Sequence, residues 1–142
     1  MTNEFESTYW HDNAIHAIRI VDGSEGNSKL VLDIDFIAEW LPPQEGAFRF
    51  MIAPADLTFY EVSELVMAID YKKATAGVQP MVIHEIKRTP VSYPSGYTSY
   101  QWSIEINWPP DGVISFIASH LSQELRKSAI LSESQCLEAG HR

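Results

Sequence analysis

His11 and Asp12 stand side by side, and Asp33 and Asp35 follow at a two-residue spacing. Imidazole with carboxylates is an acceptable donor set for a divalent metal, and a histidine oriented by an aspartate can act as a general base. On a strand, Asp33 and Asp35 project from one face about 7 Å apart. If the strand that follows His11 pairs with the strand holding the aspartates, His11 and Asp12 come within reach of Asp35. The plainer reading is a solvated sheet face, with His11-Asp12 in a turn or capping backbone N–H groups. An Asp-x-Asp spacing is too common to decide between them.

The remaining chemistry-bearing residues are more scattered. His16 is in phase with Ile18 and Ile20, which places it on a buried face as a hydrogen-bonded core residue. His84 and Glu85 are adjacent, so on a regular strand they face opposite ways. His120 falls in phase with Phe116 and Ala118 at the edge of a core, and His141 sits in a frayed tail. Cys136 has no neighbouring cations in sequence to activate it as a nucleophile. There is no Gly-x-Ser-x-Gly elbow, phosphate-binding Gly loop or His-Glu-x-x-His helix. Tyr93, Tyr97 and Tyr100 flank a loop containing Pro94 and Gly96, a composition that supplies rigid contact area and makes them a candidate interaction surface.

The elements that must position these residues are mostly strands, because apolar and polar residues alternate along much of the chain. Expected strands cover Ala14 to Val21, Lys29 to Phe36, Phe48 to Ile52, Leu57 to Phe59, Leu65 to Tyr71, Met81 to Arg88, Thr98 to Trp108 and Val113 to Ala118. Trp102 and Trp108 are in phase on one of them and belong to the core rather than to a ligand platform. Pro42, Pro43 and Gly46 break the chain, Ala53 to Asp56 interrupts the pattern, and loops cover Ala74 to Gly77 and Pro90 to Gly96. Short helices are expected at Ser119 to Lys127 and Ser132 to Ala139, the latter opening on a capping-box pair, Ser132 and Gln135. One turn at Asp35 to Trp40 is a third option. No ten-residue helix separates successive strands, so parallel βαβ units are disfavoured. The expected fold is a β-rich α+β domain over residues 1–142. It is an antiparallel sandwich, strongly bent sheet or partial barrel of seven or eight strands, with one or two short C-terminal helices.

The chain has 142 residues and a formal charge of −9. That field repels phosphate backbones and anionic membranes, so neither nucleic acid nor membrane is an expected partner. A cationic partner is favoured. A single cysteine rules out an intramolecular disulfide, and with no Cys cluster no zinc site of that kind is expected. The first residues are acidic with no apolar run behind them, unlike a signal peptide, so a cytoplasmic location is expected.

Trp10-His11-Asp12-Asn13, Leu32-Asp33-Ile34-Asp35-Phe36-Ile37 with Trp40, Ala53-Pro54-Ala55-Asp56-Leu57-Thr58-Phe59, Gly112 to Phe116 and Ser134 to Leu137 make a distinctive set. Together they resemble a group of small bacterial proteins with a WHDS…LDIDYI.W…AP.TL.F pattern. Asn13 and Phe36 depart from it, standing where the pattern has Ser and Tyr. More loosely, the N-terminal His-Asp before an apolar strand resembles small bacterial immunity proteins that neutralise toxins. The resemblance implies a bacterial, cytosolic protein and no particular chemistry.

The preferred expectation is a non-enzymatic, acidic interaction protein that presents its charge to a basic partner and needs no cofactor. A metal-dependent or acid–base enzyme using His11, Asp12, Asp33 and Asp35 is the first alternative. A small-molecule binder in the mouth of a partial barrel is the second. An unpaired edge strand leaves a homodimer open.

Overall fold

The computed structural model describes residues 4–73 and 77–142. Nine strands form one antiparallel sheet: β1 (Ala14–Val21), β2 (Lys29–Gln44), β3 (Ala47–Tyr60), β4 (Ser63–Ala68), β5 (Met81–Ser92), β6 (Thr98–Trp108), β7 (Gly112–Ala118), β8 (His120–Leu125) and β9 (Ile130–Ser132). One helical turn, α1 (Glu4–Ser7), precedes them, and short 3-10 turns occupy Ser24–Gly26 and Ala139–His141. Neighbouring strands run in the order β4-β7-β6-β5-β1-β2-β3-β8, and β9 pairs with β3 beyond the end of β8. Among the described residues, no helix is long and apolar enough to cross a membrane.

The sheet is strongly bent without closing into a barrel. Four strands lie between β3 and β7 in the order, yet Phe59 of β3 meets Phe116 of β7 with ring centroids 4.7 Å apart. One residue, Ser119, separates β7 from β8, and its N–H donates to Tyr60 O (3.0 Å). The concave side is filled by Leu30, Leu32, Ile34, Leu57, Phe59, Ile83, Trp102, Ile104, Ile114 and Phe116, each essentially without exposure. This packing supplies most of the driving force. Phe5 of α1 caps the cluster against Trp10 and Trp102.

Several boundaries differ from the sequence reading. Ser119 to Lys127, expected as a helix, is mainly β8, because its backbone is taken up by the open edge of β3 from Tyr60↔His120 to Ala55↔Leu125. Ser132 to Ala139, expected as a helix, runs from the end of β9 at Ser132 through irregular chain to the 3-10 turn that opens at Ala139, which is the C-terminal helical content. Asp35 to Trp40 is strand, and β2 runs on through Pro42 and Pro43. Ala53 to Asp56 does not interrupt β3. Pro54 falls where the outer neighbour changes, β9 pairing with Phe50 to Ile52 and β8 with Ala55 to Tyr60, so its missing N–H leaves no ladder bond unmade. β5 likewise continues past Pro90, since β1 pairs with it only at Met81 and Val82. Ala74 to Ala76 of the expected small-residue loop lie outside the described residues.

Candidate functional site

Two β-bulges decide where the histidines point. In β1, Ile15 pairs with Ile34 but Ala17 pairs with Asp33, so His16 is the extra residue. The bulge keeps Ile15 and Ile18 against the core and turns His16 to the outer face, contrary to the phase argument that buried it. In β5, Ile83 pairs with Ile106 and Glu85 with Glu105, leaving His84 as the extra residue. Ile83 and Ile86 face inward, and His84 and Glu85 are both exposed rather than opposed.

His16 thereby reaches the aspartates. Asp33 and Asp35 share the outer face of β2, as their spacing predicts, and Leu32 and Ile34 share the inner one. Asp35 is wholly buried. Its Oδ2 accepts from His16 Nε2 (2.6 Å) and from the Leu137 N–H (2.8 Å), and its Oδ1 from Arg142 Nε (2.9 Å). The other Arg142 nitrogens donate to Asp33, and Arg126 joins Asp33 (2.7 Å) to Asp56. Burial alone would raise the Asp33 pKa, but the Arg142 and Arg126 guanidiniums outweigh it and hold the carboxyl below its ordinary range.

His11 and Asp12 belong to a different constellation. His11 Nδ1 donates to His84 O (2.8 Å), and its Nε2 lies 3.5 Å from Asp12 Oδ1. Asp12, at φ 64°, donates its N–H to Ile83 O and accepts from Gln135 through its carboxylate. The pair thus forms the docked turn before β1, and the imidazole that reaches Asp35 is that of His16. Sequence alone could not show this, because a one-residue bulge leaves no signature in the alternation.

Cys136 Sγ, His16 Nε2 and Asp35 are mutually close enough to hold a metal ion. The hydrogen bonds already occupy these groups. The Asp35 oxygen facing His16 Nε2 also accepts from the Leu137 N–H and its other oxygen accepts from Arg142, so a metal would have to displace the Nε2 proton that the His16–Asp35 bond uses. A metal would also sit beside the Arg142 guanidinium. The same proton bars His16 Nε2 from acting as a base toward Cys136, whose sulfur lies 3.7 Å away. Desolvation raises the Cys136 pKa, the Asp35 carboxylate adds to this, and Arg142 offsets only part. Iodoacetamide at mildly alkaline pH is therefore expected to alkylate Cys136 severalfold more slowly in the folded protein than in urea. An equal or faster folded-state rate, read by mass spectrometry, would show an activated thiol.

His84, Glu85 and Glu105 form a second donor group on the outer face. Lys87 Nζ lies 2.8 Å from Glu105 Oε1 and 3.7 Å from Glu85 Oε2, holding the place a cation would take. Cavities of about 410 and 470 Å³ open on either side of His84. At the corner of the sheet, Ser119 Oγ lies between Glu61 Oε1 (3.0 Å) and His120 Nδ1 (2.9 Å). The carboxylate there bonds the hydroxyl rather than the imidazole, which is not the order a relay needs.

The tyrosines divide. Tyr93 and Tyr97 close the β5–β6 turn and remain exposed, with the Tyr97 hydroxyl donating to Glu61 (3.0 Å). Tyr100 packs on Trp102 and under Arg88. The exposed aromatic surface that sequence reading missed lies elsewhere. Beyond Asp35, β2 and β3 continue past the end of β1 as an arm, flanked by β9 at Phe50 to Ile52, that turns at Glu45 and Gly46. There Trp40 is 41% and Phe48 65% exposed. No family model, curated protein or solved structure matches the chain.

Proposed function

We propose that this is a non-enzymatic interaction protein, acting in the bacterial cytoplasm, that uses an acidic surface and aromatic contacts to bind a basic protein, in the manner of an immunity protein neutralising its target. The observation that carries this reading is the use made of Asp33 and Asp35. They are the best catalytic or metal-ligating residues in the sequence, and Arg126, Arg142, His16 and a backbone N–H satisfy them as structural anchors. The net charge of −9 then remains as a surface property that speeds encounter with a cationic partner. Trp40 and Phe48 supply exposed contact area of the kind that dominates binding energies. A barrel-mouth ligand site is less well supported, because Trp102, Phe59 and Phe116 fill the concave side.

The test is association with a basic partner isolated on the immobilised protein from cells that make it. Its affinity is expected to fall about tenfold or more between about 0.05 and 0.5 M salt. A salt-insensitive complex would remove the electrostatic reading. A native mass spectrum covers the enzymatic alternative. A divalent adduct lost on His84→Ala would turn attention to His84, Glu85 and Glu105, and the bare mass leaves the interaction reading in front.

A further inference from the structure

Arg88 shows how this protein accommodates a guanidinium. Its side chain is 13% exposed. Its Cζ lies 4.5 Å from the Phe5 ring centroid and 4.1 Å from that of Tyr100, with the Glu6 carboxylate at 3.3 Å. With the Trp102 ring centroid at 5.5 Å, three aromatic rings and one carboxylate thus surround one arginine, a combination that suits a planar, weakly hydrated cation.

The same set of groups recurs at the β2–β3 arm without the arginine. A cavity of about 360 Å³ is lined by Trp40, Phe48, Phe50, Glu133 and Gln135. The Trp40 and Phe50 rings stand at 84° with centroids 5.0 Å apart, forming a corner of two perpendicular walls. Phe48 is mostly exposed, and Glu133 brings a carboxylate from the segment after β9. Among the described residues, no lysine or arginine lines the cavity. Arg49, next along the strand from Phe48, donates instead to Pro42 O (3.2 Å).

We propose that this cavity is the subsite for an arginine side chain of the basic partner, its guanidinium against the Trp40 and Phe48 rings and paired with Glu133. The assignment to a protein's arginine rests on the interaction reading above. The preference for an organic cation rests on the cavity itself. Aromatic faces attract a cation through their quadrupole, and Glu133 adds a hydrogen-bond acceptor that a neutral side chain would leave less well used.

The probe is N-acetyl-L-arginine amide, compared with N-acetyl-L-citrulline amide, its neutral isostere, by titration on two-dimensional NMR spectra of the full chain. The arginine probe is expected to give saturable shifts at the Trp40 indole and the Phe48 and Gln135 amides. The citrulline probe is expected to bind at least about tenfold more weakly. Trp40→Leu should abolish the shifts and Glu133→Gln weaken binding severalfold. Phe48→Leu, at a more exposed position, keeps the test decisive if Trp40→Leu unfolds. Equal binding of citrulline, or arginine shifts that survive both aromatic substitutions, would overturn the proposal. The two readings fail separately. Arginine binding in the cavity with no basic partner found would sink the interaction reading and leave the subsite. A salt-sensitive complex unaffected by Phe48→Leu would do the reverse.

Discussion

Replacing Asp35 by alanine is expected to lower folding stability by about 3–5 kcal/mol, the range for removing one member of a buried, hydrogen-bonded charge pair. The carboxylate has no exposure and accepts from His16, Leu137 and Arg142. Alanine leaves the Leu137 N–H, itself part of a buried residue, without its acceptor. It also leaves Arg142 with Asp33 alone. Asp35→Asn is expected to cost less, because the amide keeps one acceptor oxygen, but its NH₂ must then face a donor. The urea midpoint reads the loss, and hydrogen exchange locates it. The Leu137 amide should exchange much faster in Asp35→Ala, while amides of β6 and β7 should exchange as in the parent once the global loss is subtracted. An unfolding free energy within about 1 kcal/mol of the parent protein's would mean that the carboxylate is not an anchor.

That experiment also bears on binding. Residues 133–142 are tied to the sheet through Asp35, and the same segment supplies Glu133 and Gln135 to the aromatic cavity. Asp35 therefore acts on the cavity from a distance, as a residue that positions its lining. The two aspartates that look most like catalytic groups in the sequence serve here to hold down the chain that completes a surface.

How much of this the sequence could show depends on the kind of signal. Alternation places β1 at Ala14–Val21 and β6 at Thr98–Trp108 with the observed bounds, because a half-buried strand must repeat with period two. It also puts Asp33 and Asp35 together on the outer face. The same rule fails at His16 and His84, where one extra residue shifts the phase and nothing in the neighbouring side chains marks the shift. Local propensity fails at β8. Leu121, Gln123, Glu124 and Leu125 are good helix formers, but the open edge of β3 offers hydrogen bonds that an isolated short helix cannot match. Arg126 and Arg142 were illegible for a different reason. Their partnership with Asp33 joins residues far apart in the chain, and single-sequence spacing carries no information on such pairs.

Trp102→Ala is expected to have an effect as large as Asp35→Ala, about 3–5 kcal/mol, for an unrelated reason. Trp102 has no exposure and sits where the bend brings distant strands together. Its ring meets Phe59 of β3 edge-on at 5.1 Å and Phe5 of α1 at 5.3 Å, and its Nε1 donates to Ala118 O at the end of β7 (2.9 Å). Removing it opens a cavity where the two flanks of the sheet touch, and leaves the Ala118 carbonyl short of a donor. Trp102→Phe separates the contributions. It keeps much of the ring contact and loses the hydrogen bond, so a cost of about 1–2 kcal/mol is expected. Thermal or urea unfolding of the three proteins reads both. If alanine costs no more than phenylalanine, the bend is held by the strand connections through Ser119 rather than by packing on Trp102, and the core would have to be credited elsewhere.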